Sequence, residues 1–218
     1  MNPIAEVMKG VTDIPIALLA FWIGILLLKK EKKEWGGVFL LVAVSGLMGT
    51  AVHVFSLPDI CRKLLWVVLY VLLFEDIRRF TKLMIAYISG SGEKERRVVW
   101  HVEGILYVCA VIVLLVRGRG DIYLLVVFMA AMFWRIIVCL GRSGFSPAKA
   151  TGLMAMLFVP ILLQALDQII PCAVVIEHIV LAAALFVAYH IGKDERKACA
   201  AEEVPFAEAS AEELLTEL

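Results

Sequence analysis

Side chains able to do acid–base or metal chemistry recur at one depth of this chain, near one end of several long apolar segments. Two histidines lie in this outer layer together with acids and one amide. The members of the layer are Asp13, His53, Asp59, Gln164, Asp167, Glu177 and His178. Imidazoles and carboxylates together suit Zn²⁺ or another first-row divalent ion, and zinc with one open position lowers the pKa of its bound water to about 7. The layer therefore predicts a metal site able to generate hydroxide.

Each member of the outer layer also has a plainer structural interpretation, which the sequence leaves open. Asp13 and Asp167 lie where helix ends meet interfacial water, and Asp59 follows Pro58 as a helix N-cap would. His53 is able to hydrogen-bond a backbone carbonyl of a neighbouring helix. The interpretation as a functional site gains support because several different segments bring ionisable groups to a similar depth, where each is costly in a membrane.

The elements that must position these residues are long apolar stretches. Of the 218 residues 62% are hydrophobic and the mean hydropathy is +0.90, whereas a soluble domain is about 45–50% apolar. A bilayer core needs about 20 mostly apolar residues per helix. Stretches of this kind are Thr12–Leu28, Trp35–Phe55, Asp59–Phe80, Val98–Val116, Ile122–Leu140, Ala148–Ile169 and Val174–Ile191. The sequence predicts an all-α polytopic integral membrane bundle of seven transmembrane helices, with a re-entrant third segment as the alternative.

Lysine and arginine are concentrated in alternate loops, and this asymmetry predicts the orientation. The first, third and fifth loops and the C-terminal tail hold most of them, and the richer side is cytoplasmic. The N-terminus is thus predicted outside and the C-terminus in the cytoplasm. Residues 1–192 are predicted to form the transmembrane domain, and residues 193–218 an acidic cytoplasmic tail, disordered or a short helix. Lys+Arg and Asp+Glu are both 21, which excludes an electrostatic nucleic-acid binder.

Three further features bear on how the helices pack. The small residues of Gly46–Thr50 let a neighbouring helix approach closely just before His53. Arg135 lies deep in the fifth segment, and Asp76 or Glu75 is its predicted ion-pair partner, with a proton or ion relay as the alternative. The tryptophans are predicted at helix ends or on lipid-facing surfaces. They are Trp22, Trp35, Trp66, Trp100 and Trp134.

The order of these residues resembles the superfamily of seven-helix membrane metal hydrolases that includes alkaline ceramidases and the progestin and adipoQ receptors. The family pattern has a Ser one turn before a second-helix His, an Asp further on, and an HxxxH pair in the last helix. His53 matches the first His, Asp59 stands closer to it than the family's Asp, and His178 matches one His of the pair. Gly49 occupies the Ser position and Ala182 the position of the second His of the pair.

The resemblance implies a membrane-embedded, zinc-dependent hydrolase of a lipid amide or ester, with its site near the outer membrane face. The predicted metal ligands are His53, His178, Asp13 and Asp167. The predicted catalytic residues, acting as general base or orienting an imidazole, are Glu177 and Asp59.

Two other classes of function stay open from the sequence. One is a non-catalytic seven-helix transporter or sensor that binds a small ligand in the outer layer. The other is a scaffold whose acidic tail recruits a cytoplasmic partner, and a homo-oligomer is compatible with each class. The stretches 49–55 and 177–193 are similar to an uncharacterised group of bacterial seven-helix membrane proteins. The predicted location is the plasma (inner) membrane of a bacterium, with the lipid bilayer itself as the principal partner.

Overall fold

The architecture is helical throughout the part of the chain that the computed structural model describes. The described residues are 3–89, 104–105, 107–109, 112–113, 116, 122–142, 159, 163 and 173–202. The helices are α1 (Pro3–Lys29), α2 (Lys33–Val54), α3 (Asp59–Ser89), α4 (Ile122–Arg142) and α5 (Ala173–Glu202). They correspond to the first, second, third, fifth and seventh predicted segments, so the predicted all-α class is confirmed for these residues. Most of the fourth and sixth predicted segments, and residues 203–218 of the predicted tail, lie outside the described residues.

Three of the described helices are long and apolar enough to cross a membrane. These stretches are Gly10–Lys29, Lys33–Val54 and Val175–Lys193. At 1.5 Å per residue, about 20 residues match a hydrocarbon core roughly 30 Å thick. The apolar stretch of α4, Val127–Leu140, is shorter. The predicted membrane location is therefore supported by α1, α2 and α5.

The helices follow one another as neighbours in the order α5, α1, α2, α3 and α4. The buried core runs along this series, and its large, fully buried side chains include Trp35, Phe39, Phe74, Met84 and Met132. On α3, every fourth residue is aromatic over one stretch, and the rings of Trp66, Tyr70 and Phe74 contact one another in turn. The ring centroids of Phe74 and of Phe128 on α4 are 4.5 Å apart. One aromatic face of α3 thus holds α4 in position.

Trp35 lies near the end of its helix, as predicted, since α2 begins at Lys33, but its side chain belongs to the core and does not face lipid. Its side chain is 1% exposed, whereas Trp22 and Trp134 are 56% and 63% exposed, as predicted. The indole packs edge to face on Phe80 of α3, with ring centroids 6.2 Å apart. A Cβ atom on Gly192 of α5 would lie 2.9 Å from the indole. The missing side chain at Gly192 therefore makes room for Trp35, which links α2 to both α3 and α5.

The turn between α1 and α2 is tight and contains a backbone conformation that favours glycine. Glu31 has a φ of 61°, in the left-handed region. The Lys30 and Lys32 amides each donate to the Leu27 carbonyl at 3.0 Å, and the Glu31 amide donates to that of Leu28. These bonds close the C-terminus of α1, as a glycine in the left-handed conformation commonly does.

Replacing Glu31 by glycine is expected to stabilise the protein by about 1 kcal/mol, because a side chain in the left-handed region is strained. Glu34→Gly is the matched control, since Glu34 is also exposed but lies in the first turn of α2. There glycine should destabilise by about 0.5–1 kcal/mol through loss of helix propensity. Thermal unfolding in detergent measures both, and shifts of the same sign would contradict the prediction.

Candidate functional site

Two residues of the predicted outer layer, on the first and last described helices, meet in a direct hydrogen bond. Asp13 Oδ1 of α1 lies 2.8 Å from His178 Nε2 of α5. The side chains are 22% and 16% exposed, so the bond is largely shielded. When Asp13 is ionised its carboxylate only accepts hydrogen bonds, and the matching His178 tautomer donates through Nε2 and carries its lone pair on Nδ1. This Asp13–His178 pair is an imidazole oriented by a carboxylate.

The Asp13 carboxylate fits because α2 has no side chain where it lies. A Cβ atom on Gly49 would be 2.6 Å from Asp13 Oδ2. One turn earlier, a Cβ atom on Gly46 would be 3.1 Å from the Cβ of Ala17 and 3.3 Å from the Asp13 carbonyl oxygen. The prediction that Gly46–Thr50 lets a neighbouring helix approach closely is confirmed, and that neighbour is α1.

A second contact holds α1 and α2 together one turn from the pair. The Thr50 hydroxyl lies 2.9 Å from the Gly10 carbonyl oxygen of α1 and 3.1 Å from that of Gly46 in its own helix. A Cβ atom on Gly10 would be 2.6 Å from Val54 Cγ2. Glycine on one helix and a hydroxyl on the other are common means of close helix contact in membranes. They fix the register in which Asp13 faces Gly49.

His53 belongs to the same region but makes a different contact. It follows Gly49 by one turn of α2, and its ring packs edge to face on Trp66 of α3 with centroids 5.4 Å apart. The imidazole of His53 thus contacts α3, whereas His178 bonds to α1. The two histidines that were predicted to share a metal are engaged with different partners.

The remaining predicted residues divide into described and undescribed positions. Asp59 begins α3, has an 87% exposed side chain and forms an ion pair with Arg62 at 3.1 Å. Glu177 precedes His178 in α5 and is partly buried. Asp167 and Gln164 lie outside the described residues. Within the described ranges, no group of three or more His, Cys, Asp and Glu side chains is placed to hold a metal ion.

The adjacent acids of α3, Glu75 and Asp76, have surroundings that the sequence did not predict. Glu75 binds Arg78 through two bonds of 2.9 Å and Arg79 through one of 2.6 Å. The spacings of three and four residues along one helix are the signal that predicts such local pairs. The predicted ion pair with Arg135 is not among the contacts of Glu75 or Asp76 in the described part of the chain. Asp76 instead has a buried Oδ1 atom with no hydrogen-bond partner there.

No family model, curated protein or solved structure matches the chain. The resemblance to seven-helix metal hydrolases therefore stays a prediction. Functional inference rests on the residues themselves, and above all on the Asp13–His178 pair.

Proposed function

We propose that this protein is a membrane-embedded hydrolase of a lipid amide or ester, and that His178 is its general base. In this proposal it is a seven-helix bundle in the plasma (inner) membrane of a bacterium, with its N-terminus outside and its C-terminus in the cytoplasm. The single observation that carries the proposed activity is the hydrogen bond between Asp13 and His178. A carboxylate that holds one imidazole nitrogen fixes the tautomer and aims the other nitrogen at a substrate or water.

The depth of the pair supports a lipid substrate. Asp13 lies three residues inside the stretch that begins at Gly10, and His178 three residues inside the one that begins at Val175. At 1.5 Å per residue, each is about 4.5 Å from the end of an apolar stretch. Ester and amide linkages join acyl chains to headgroups, so they lie at this same boundary of the hydrocarbon core. The pair is therefore at the depth of the bond to be cleaved.

Exposed apolar residues next to the pair support access from the bilayer. Ile14 follows Asp13 and is 39% exposed, while Ile176 and Ile179 flank His178 and are 48% and 65% exposed. An acyl chain in contact with these side chains would bring its carbonyl carbon towards His178. No diffusion of the lipid through water is then required.

The proposed step uses water as the nucleophile. His178 Nδ1 removes a proton from a water molecule whose oxygen forms a bond to the carbonyl carbon. Collapse of the tetrahedral intermediate breaks the bond to the amine or alcohol, which takes the proton back from His178 as it leaves. Asp13 stabilises the imidazolium between these two transfers and does not itself take up the proton.

Zinc does not fit the described residues as they stand. A catalytic zinc site has three protein ligands, and the described residues contain no group of three or more His, Cys, Asp and Glu side chains placed to hold a metal ion. The His53 ring lies on Trp66, and Asp59 is exposed beside Arg62. The zinc prediction therefore stays a prediction, and the proposed step uses no metal.

The test is hydrolysis of fluorescent ceramide and fluorescent phosphatidylcholine by the full chain in nanodiscs that contain a chelator. His178→Ala should lower the rate by about 10²- to 10⁴-fold because the general base is lost. Asp13→Asn should lower it by about 10- to 100-fold because the imidazole loses its orienting acceptor. His190→Ala is the control, since His190 is an exposed residue of the same helix.

Full activity of His178→Ala would overturn the proposal, as would a parent protein that cleaves neither lipid. Activity that is lost in chelator and restored by zinc would contradict the metal-free step and favour the zinc prediction.

A transporter or sensor is the second candidate, and the position of the pair in the fold favours it. Asp13 and His178, which lie 165 residues apart in the chain, join α1 to α5. A small ligand that takes the hydrogen bond of either residue would remove one of the contacts between α5 and α1, which is the kind of differential contact that a conformational response needs. A parent protein with an intact pair and no hydrolysis of either lipid would favour this candidate.

A further inference from the structure

A second polar site lies in a cavity that the Asp13–His178 pair does not reach. The cavity has a volume of about 140 Å³ and is lined by residues of α2, α3, α4 and α5. Its α5 lining begins at Leu181, three residues beyond His178, and no residue of α1 contributes to it. A proposal about this cavity is therefore independent of the proposed hydrolase activity.

The lining of the cavity combines a broad apolar surface with one acid. Apart from Asp76, all of the described lining residues are apolar, and they include Phe39, Phe133 and Leu185. Asp76 Oδ1 is buried and lacks a hydrogen-bond partner among the described residues. A buried polar atom without a hydrogen-bond partner costs free energy, and such an atom in a native structure calls for an explanation. An acid that is kept here without a donor indicates that the donor comes from a bound molecule.

The nearest cationic side chains on the same helix are engaged elsewhere. Arg78 and Arg79 follow Asp76 by two and three residues, and both hold the carboxylate of Glu75. The adjacent acids of α3 thus differ, because Glu75 forms hydrogen bonds with two guanidinium groups, whereas Asp76 Oδ1 has no hydrogen-bond partner among the described residues and Asp76 interacts with Arg79 through charge alone. A cationic ligand would give Asp76 what the arginines give Glu75.

We propose that the Asp76 cavity binds a small apolar amine, whose N–H donates to Asp76 while its hydrocarbon part fills the space among α2, α3, α4 and α5. A cavity of roughly 150 Å³ lined by apolar side chains is large enough for benzene. The ligand class is therefore an amine carrying a hydrocarbon group about the size of one aromatic ring. Asp76 would bind the amine end of such a molecule, and the apolar lining would surround its hydrocarbon end.

The test is binding of 4-fluorobenzylamine to the full chain in nanodiscs, followed by ¹⁹F NMR with empty nanodiscs subtracted. The parent should show saturable binding, and 4-fluorotoluene should bind at least tenfold more weakly because it has no N–H donor. Asp76→Asn should weaken binding of the amine at least tenfold. Glu34→Gln is its control, since it makes the same change of carboxylate to amide at an exposed position.

A second pair of variants keeps the proposal testable if Asp76→Asn fails to fold. Ala184→Leu puts a larger side chain into the cavity lining and should abolish saturable binding. Ala183→Leu makes the same change at the neighbouring exposed position and should leave binding unchanged. Equal binding of the amine and of 4-fluorotoluene, or full binding to Ala184→Leu, would overturn the proposal.

Discussion

Gly49→Ala is expected to break the Asp13–His178 hydrogen bond with the addition of a single methyl group. The new Cβ would lie 2.6 Å from Asp13 Oδ2, closer than these atoms can pack, and 3.3 Å from Cγ, which is a tight contact. The carboxylate must then turn away from His178, or α1 must move away from α2. We expect a loss of stability of about 1–3 kcal/mol from the overpacking. Hydrolysis should fall about 10- to 100-fold, as for other losses of an orienting partner.

The matched control for this substitution is Gly37→Ala in the same helix. A Cβ atom on Gly37 has no neighbouring atom within 4 Å among the described residues. Alanine there should raise stability by about 0.5–1 kcal/mol, since glycine is the poorer helix former. Thermal unfolding measures both variants, and ¹⁵N shifts of labelled histidine report the bond to His178 whether or not the protein is a hydrolase. Equal stability of the two variants, with the His178 signal unchanged, would contradict the expected clash.

Trp35→Ala is expected to have the largest effect on stability, a loss of about 3–5 kcal/mol. The indole is 1% exposed and contacts both Phe80 and the backbone position of Gly192. Its removal opens a cavity where α2, α3 and α5 meet. Trp35→Phe should cost less, because phenylalanine fills part of the space and removes an indole Nε1 that is buried without a hydrogen-bond partner among the described residues.

Trp22→Ala is the control for Trp35→Ala. Trp22 lies on α1 and is 56% exposed, so its loss should change the free energy of unfolding by no more than about 0.5 kcal/mol. Denaturation in a detergent series, followed by circular dichroism, measures both substitutions on one scale. A Trp35→Ala protein as stable as Trp22→Ala would mean that the junction of α2, α3 and α5 is not part of the core.

Helix positions could be predicted because apolar length is a property of the chain alone. The predicted second segment, Trp35–Phe55, differs from α2 by two residues at one end and one at the other, and the third begins at Asp59 as α3 does. The end of α3 was placed nine residues too early, at Phe80. The charges from Glu75 to Arg79 suggest an interface when read along the sequence. In the structure Glu75 pairs with Arg78 and Arg79 along the same helix, and the helix continues to Ser89.

The sequence predicts how far along their helices the residues of the candidate site lie, but not which residues they contact. Depth follows from position along a helix, and Asp13 and His178 were placed at one level for that reason. The direction in which each side chain points around its helix depends on packing that one sequence does not contain. His53 at a similar depth therefore contacts Trp66 and not Asp13. Gly49 is recognisable in the sequence as a small residue. That it leaves space for the Asp13 carboxylate can be seen only when the register between α1 and α2 is known.

The separation of Asp13 and His178 in the chain has a consequence for biosynthesis. The contacts between α1 and α2 involve residues 40 apart, such as Thr50 and Gly10, so this hairpin can form soon after both helices leave the ribosome. Asp13 gains its partner only after His178, 165 positions later, has been synthesised. A nascent chain that stops before Ala173 keeps an acid at membrane depth without its imidazole, in a setting where unpaired ionisable groups are costly. Asp13 of α1 thus stays without its imidazole partner until α5, the last described helix, has been made and inserted.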